Sequence, residues 1–189
     1  MNEDKKLSIL EGVLFSMGES VSLSRLSEML EIGKSETRDL LDRLEEKYED
    51  TDRGIHLVWL EDNVQLCTKP ELYDYLVKLT KNAPRFTLTD TVLETLSIIA
   101  YKQPITRVQI EKIRGVSCDH AINKLLEYDL IKELGRLDAP GHPLLFGTTE
   151  QFLRSFGVSS LEELPSMNPM QVEEFKKQAE EEIQVKLNI

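Results

Sequence analysis

TDTVLETLSIIAYKQPITRVQIEKIRGVSCDHAINKLL, residues 89–126, is the stretch that decides the fold. Val92, Leu93, Leu96 and Ile99 recur at helical spacing. Pro104 lacks an N–H and disfavours the helical conformation at Gln103, so the first helix is expected to end there. Thr106 stands three residues before Gln109, the spacing of a capping box that starts a second helix. Gly115 suits the left-handed position that closes it. Three helices joined by turns this short read as a helix-turn-helix core.

Working outward, the flanks repeat the plan. Upstream, Leu7, Leu10, Val13, Leu14 and Met17 share a 3.6-residue period. Ser22 caps a short helix with Leu23, Leu26, Met29 and Leu30 expected inward. After Gly33 a longer helix uses Thr37, Leu40, Leu41 and Leu44 and runs to about Tyr48. Residues 55–60 and 63–67 alternate and are rich in β-branched side chains, the pattern of a hairpin. Pro70 opens a helix using Leu72, Tyr73, Leu76 and Leu79. An offset of 84 residues sets Phe15 on Ile99, Met17 on Tyr101, Val21 on Ile105, Ser22 on Thr106, Leu26 on Ile110, Met29 on Ile113, Ile32 on Val116 and Leu41 on Leu125, with no gap. Downstream, residues 130–136 and 144–147 form a second hairpin with residues 138–143 at its tip. Thr148 or Thr149 then caps a helix through Phe152, Leu153 and Phe156. Ser160 and Glu163 repeat the capping-box spacing, and Pro165 ends that turn. The expected fold class is mainly α with small β-hairpin wings: tandem winged-helix domains over residues 1–83 and 84–165, then a charged tail over 166–189, partly helical or disordered.

Composition limits what such a fold does. The 189 residues are 40% apolar, enough for buried cores, and no apolar run approaches the roughly 20 residues a membrane helix needs. The first residues, MNEDKK, read as no signal peptide, and two isolated cysteines, Cys67 and Cys118, fit a reducing cytoplasm without a disulfide framework. Catalysis finds little: His56, His120 and His142 are far apart in sequence, and neither a nucleophile–base spacing, a metal-ligand spacing nor a phosphate loop stands out. The reading is no enzyme, no catalytic residue, no metal and no cofactor.

DNA reading by the third helix is the alternative, as in a winged-helix transcription regulator. The formal charge of −11 speaks against it, because phosphate neutralisation calls for excess Lys and Arg. Residues 1–84 hold 11 basic and 18 acidic side chains; residues 85–165 hold 9 and 11. The exposed face of the first unit's third helix would carry Lys34, Glu36, Asp39, Asp42, Arg43, Glu45 and Glu46, five of them acidic. Its counterpart, with Asp119, His120, Asn123, Lys124 and Glu127, is nearly neutral. Arg107, Lys112, Arg114 and Arg136 form a local positive patch at most, and on an acidic protein such residues are more often surface ion-pair partners. The third reading is a protein-interaction module. The hinge at residues 101–106 and the two-proline tip give it some support, since stiff loops lose little entropy on binding. Tyr101 and Ile105 serve core or interface equally well.

LETLSIIAYKQPITR (93–107), IRGV (113–116) and GRLDAPGHPLLFGTT (135–149) resemble the bacterial segregation and condensation protein B family, ScpB, as do residues 152–165. The N-terminal part fits in length and pattern without a sharp motif. The resemblance implies a non-enzymatic subunit of a condensin-like complex acting in chromosome condensation, segregation and partition during the cell cycle and cell division. It implies a homodimer formed chiefly through the first unit. It implies binding of the kleisin ScpA by the second, contact with the SMC ATPase through the kleisin, and indirect association with chromosomal DNA. Location would be cytoplasmic, at the nucleoid and off the membrane. Within the matched motifs the candidate partner-binding residues are Tyr101, Gln103, Arg107, Arg114 and Arg136; the hairpin bearing Trp59 is the candidate dimer interface.

Overall fold

The computed structural model describes residues 1–49, 52–78 and 88–164. The chain divides into two compact units, Met1–Lys81 and Asn82–Ile189. The division falls just before the 83/84 boundary read from the sequence, in residues outside the described ones. Leu79, Pro165 and the tail over 166–189 also lie outside them.

The first unit begins with α1 (Glu3–Met17), capped by Asn2, whose side chain accepts from the Lys5 N–H, and closed by Gly18 at φ 66°. A two-residue strand β1 (Val21–Ser22) leads into α2 (Leu23–Leu30), where the Ser22 hydroxyl accepts from the Arg25 N–H. Then come α3 (Lys34–Tyr48), the hairpin β2 (Ile55–Leu60) and β3 (Asn63–Thr68), a 3-10 turn at Pro70–Leu72 and the short α4 (Tyr73–Val77). The sheet order is β1-β3-β2, antiparallel, with Val21 opposite Val64 and Trp59 opposite Val64 on the other side. Leu7, Leu10, Leu14, Leu26, Leu30, Leu41, Leu44 and Val64 fill one core. Burying side chains of this size stabilises by roughly 1.5–3 kcal/mol each.

The second unit repeats that order: α5 (Asp90–Lys102), β4 (Ile105–Thr106), α6 (Arg107–Arg114), α7 (Asp119–Glu127), β5 (Ile131–Arg136), β6 (Leu144–Thr148) and α8 (Glu150–Phe156), with a 3-10 turn at Leu161–Glu163. Its sheet is β4-β6-β5, again with the two-residue strand on one edge. Leu96, Ile99, Ile110, Leu125 and Ile131 are fully buried at its centre.

Both hairpins form at the expected residues, but the third strand of each sheet was not foreseen. A strand of two residues has no period to read. The ungapped repeat also needs correction. From β1 and β4 onward the offset of 84 holds: Val21 and Ile105, Leu26 and Ile110, Thr37 and Ala121, Leu41 and Leu125 are all buried. In the first helix it fails, because it sets Phe15, 78% exposed, on the buried Ile99. An offset of 85 aligns the buried Leu7, Leu10 and Leu14 with the buried Val92, Thr95 and Ile99. Three residues separate α1 from β1 and only two separate α5 from β4, so the gap lies in that turn.

Smaller corrections follow from local geometry. Met29, Ile113 and Val116 point outward rather than into the cores, and Met17 sits at the rim. The closing helix is capped by Thr149, which accepts from the Phe152 N–H and donates to the Asp129 carbonyl. At the last turn Glu163 accepts from the Ser159 N–H, and Ser160 makes no side-chain cap.

Candidate functional site

The hinge between α5 and α6 is built by side chains that replace missing backbone partners. Strand β4 pairs through Ile105 opposite Phe146 and Thr106 opposite Leu145, so continuing the register brings residue 103 opposite Thr148. The Gln103–Pro104 bond is cis, and Pro104 has no N–H to contribute. The Gln103 side chain supplies the rung instead. Its Oε1 accepts from the Thr148 N–H at 2.8 Å. Its Nε2 donates to the Thr148 hydroxyl at 3.0 Å and to the Ala100 carbonyl at 3.1 Å. Gly147 leaves room beside it: a Cβ there would lie 2.6 Å from Gln103 Oε1 and 2.6 Å from the Leu134 side chain, so those side chains would have to shift. The next turn carries the expected capping box: Thr106 accepts from the Gln109 N–H, and Gln109 Oε1 accepts from the Thr106 N–H at 2.9 Å. Gly115 closes α6 at φ 73°, a conformation that suits glycine.

The other residues singled out by sequence fall into different environments. Tyr101 is half-buried on α5, and burial pushes its phenol above the ordinary tyrosine range. Arg107 is exposed at the start of α6 and pairs with Asp119 and, at 4.0 Å, with Glu111. Arg114 is not the surface cation the sequence suggested. Its side chain is only 5% exposed, its Nη2 meets Glu94 at 3.2 Å, and its Nε and Nη1 are buried with no hydrogen-bond partner among the described residues. Arg136 donates through Nη1 to the His142 carbonyl at 2.9 Å, bracing the hairpin tip where Gly141 and His142 both have positive φ. In the first unit, Trp59 is half-buried against the core, and the Arg38 guanidinium stacks 4.2 Å over its ring.

Internal structure thus engages Gln103, Arg107, Arg114 and Arg136. What sequence reading passed over is the outward side of α6. Val108, Ile113 and Val116 are 64%, 55% and 56% exposed, and only Ile110 on that helix is fully buried. The signal was present: Val108, Ile110 and Ile113 cannot all share one face of an eight-residue helix.

The third helices are as polar as expected. Lys34, Glu36, Asp39, Asp42, Arg43 and Glu46 are exposed on α3, with Glu45 half-buried. Glu36 is held by Lys6, and Arg43 by Glu3. Burial raises the Cys118 thiol above its ordinary range, and neither cysteine is in a disulfide. Among the described residues no cluster of His, Cys, Asp and Glu is set to hold a metal ion, and no helix is long and apolar enough to cross a membrane.

Two mostly helical units, each closed by a small antiparallel sheet and each presenting apolar side chains on its surface, define a modular helical subunit. The model of the segregation and condensation complex subunit ScpB family matches residues 8–167, and the chain belongs to that family. It is 56% identical over 181 residues to segregation and condensation protein B of Agathobacter rectalis, covering 95% of this chain and 97% of the relative. It is 50% identical over 188 residues to the protein of the same name from Lachnoclostridium phytofermentans, covering 99% and 100%. A crystal structure of a dimer of the ScpB N-terminal domain complexed with a ScpA peptide aligns at 33% identity, covering 41% of this chain and 96% of that one, with a TM-score of 0.40.

Proposed function

We propose that this chain is a non-enzymatic accessory subunit of an SMC–kleisin complex that organises and segregates the chromosome. Each unit is read as a winged helix used for holding proteins. Residues 1–83 mediate homodimerisation, and residues 84–165 dock the kleisin ScpA and stabilise it at the SMC heads. The observation that carries this reading is membership of the ScpB family over residues 8–167, supported by relatives matched over nearly their whole length. Surface chemistry agrees with it. Phe15, on the exposed side of α1, is an apolar side chain that a second copy would cover, and the neighbouring rim includes Met17. Trp59, on the edge strand β2, remains the other candidate. Tyr101, with a partly open aromatic surface, and the exposed Arg107 and Arg136 are the candidate contacts of the second unit, while Gln103 and Arg114, the other two candidates, are held by bonds within it.

Sedimentation of the purified protein tests the dimer. A dimer at micromolar concentration that becomes monomeric in Phe15→Asp is expected; a strict monomer in the wild type refutes it. A duplex-DNA titration at low salt separates this reading from a winged-helix transcription regulator, which would bind tightly, selectively and with a steep salt dependence.

A further inference from the structure

Strand β5 is the outer strand of the second sheet, paired with β6 on one side and with no strand on the other among the described residues. From Lys132 to Arg136 every residue is exposed. Leu130 accepts from the Thr149 N–H, so Leu130–Thr149 and Lys132–Gly147 are the hydrogen-bonded pairs of the ladder. Glu133, opposite Phe146, therefore turns its main-chain N–H and C=O to the open edge. The two faces of the strand differ. Phe146 is buried in the core, and Glu133 shares its face. Leu134, 48% exposed, lies over Gly147 on the outer face, where Leu145 is half-buried. An apolar strip thus crosses the outer face and stops at an unpaired edge, a template for one more strand.

The chain carries a segment of matching pattern. Residues 183–189, IQVKLNI, alternate without a break: as a strand, Ile183, Val185, Leu187 and Ile189 line one side and Gln184, Lys186 and Asn188 the other. They lie outside the described residues. We propose that this segment adds to the open edge of β5 as an antiparallel fourth strand, with Lys186 opposite Glu133. Its apolar side extends the outer-face strip from Leu134, and Lys186 meets the Glu133 carboxylate. Reach and charge fix the occupant and its direction. The link over residues 165–182 spans up to roughly 60 Å when extended, against a radius of gyration of roughly 12 Å for a unit of this size, so it reaches any edge of its own unit. Glu180, Glu181 and Glu182 directly precede the alternating run. Antiparallel addition puts them beside the exposed Arg136, whereas parallel addition would put them beside the exposed Glu127 and Asp129. Once covered, the edge no longer recruits a strand from another chain. The inference is independent of the kleisin reading.

Amide hydrogen exchange followed by nuclear magnetic resonance on the full-length chain tests the proposal. In the wild type the amides of Glu133 and Lys186 should both exchange slowly. Lys186→Pro removes the donor at the centre of the added ladder, and Val185→Asp sets a charge in its apolar row. Each should speed exchange at Glu133 by about tenfold or more, while the Thr148 amide on β6 keeps its protection and reports that the unit is folded. The source of the strand is read by mixing isotope-labelled Lys186→Pro with an excess of unlabelled wild type and allowing subunits to exchange. The labelled Glu133 amide should still exchange fast. Slow exchange there would give the edge to the tail of a second copy and overturn the proposal. Fast exchange at Glu133 in the wild type, or protection unchanged by both substitutions, overturns it as well.

Discussion

Replacing Gln103 with alanine should damage the second unit from inside. The amide closes three bonds: Thr148 N–H to Oε1 at 2.8 Å, and Nε2 to the Thr148 hydroxyl at 3.0 Å and the Ala100 carbonyl at 3.1 Å. Thr148 is buried on the central strand, so its N–H would lose its partner where water enters poorly. Leaving such a donor unsatisfied costs about 1–3 kcal/mol, and the two donated bonds contribute about 1 kcal/mol each net. Some relaxation at the half-open hinge offsets part of that, so a loss of about 2–4 kcal/mol is expected. Urea unfolding followed by far-ultraviolet circular dichroism reads the total. Amide exchange at Thr148 reads the rung itself, and fluorescence of Trp59, the single tryptophan, monitors the first unit separately. Gln103→Glu keeps an acceptor for the Thr148 N–H while placing a carboxylate against the Ala100 carbonyl, and should fall between wild type and alanine. A loss below about 0.5 kcal/mol with Thr148 still protected would refute the rung. Lowered ScpA affinity without loss of stability would instead make Gln103 a contact residue.

Two further outcomes follow from local geometry. Thr106→Ala removes the hydroxyl that accepts from the Gln109 N–H and leaves the main-chain N–H bonded to Gln109 Oε1, so it should cost about 1 kcal/mol, and a double-mutant cycle with Gln109→Ala should show coupling rather than additivity. His56 on β2 is held below the ordinary histidine value of 6.5, first by burial and then by the positive charge of Lys69. The folded state therefore binds fewer protons than the unfolded one near that value. The stability of the neutral form is present above about pH 6.5 and is lost as pH falls towards the lower folded value. His56→Gln should flatten the stability profile of the first unit in that window, and an unchanged slope would show that His56 does not titrate there.

Much of this architecture could be read from the chain because its signals are local. Ser22, Thr106 and Gly115 act within one turn, and the alternation of residues 55–60 lies within one strand. What escaped depends on partners far away in sequence. Gln103 reads from sequence as a candidate partner-binding residue because its bonds to Thr148 cross 45 positions. Arg114 looked like a surface cation, but α5 covers its guanidinium and offers Glu94. In α2 and α6, eight residues give about two turns, too few for a hydrophobic period to say which of several aliphatic residues turns inward. That ambiguity hid Met29 and Ile113, so the exposed apolar side chains of these two helices were the least legible part.

The distribution of charge then bears on what the repeated scaffold binds. On the second unit Arg107 is engaged by Asp119, Arg114 by Glu94, Lys124 by Glu127 and Arg154 by Glu150. On the first, Lys6 and Arg43 are engaged by Glu36 and Glu3. A phosphate backbone would have to compete with these carboxylates for each cation, and would leave an anion behind at every exchange. Counterion release could offset that only where basic residues outnumber acidic ones, which neither unit offers. A protein partner meets no such obstacle where its main gain is burial of apolar surface, since none of these carboxylates has to be displaced. Binding of a protein partner through apolar surface should therefore weaken only slightly between about 50 and 200 mM salt, whereas a protein making 6–10 phosphate contacts would lose about 10³–10⁵ in affinity over that range.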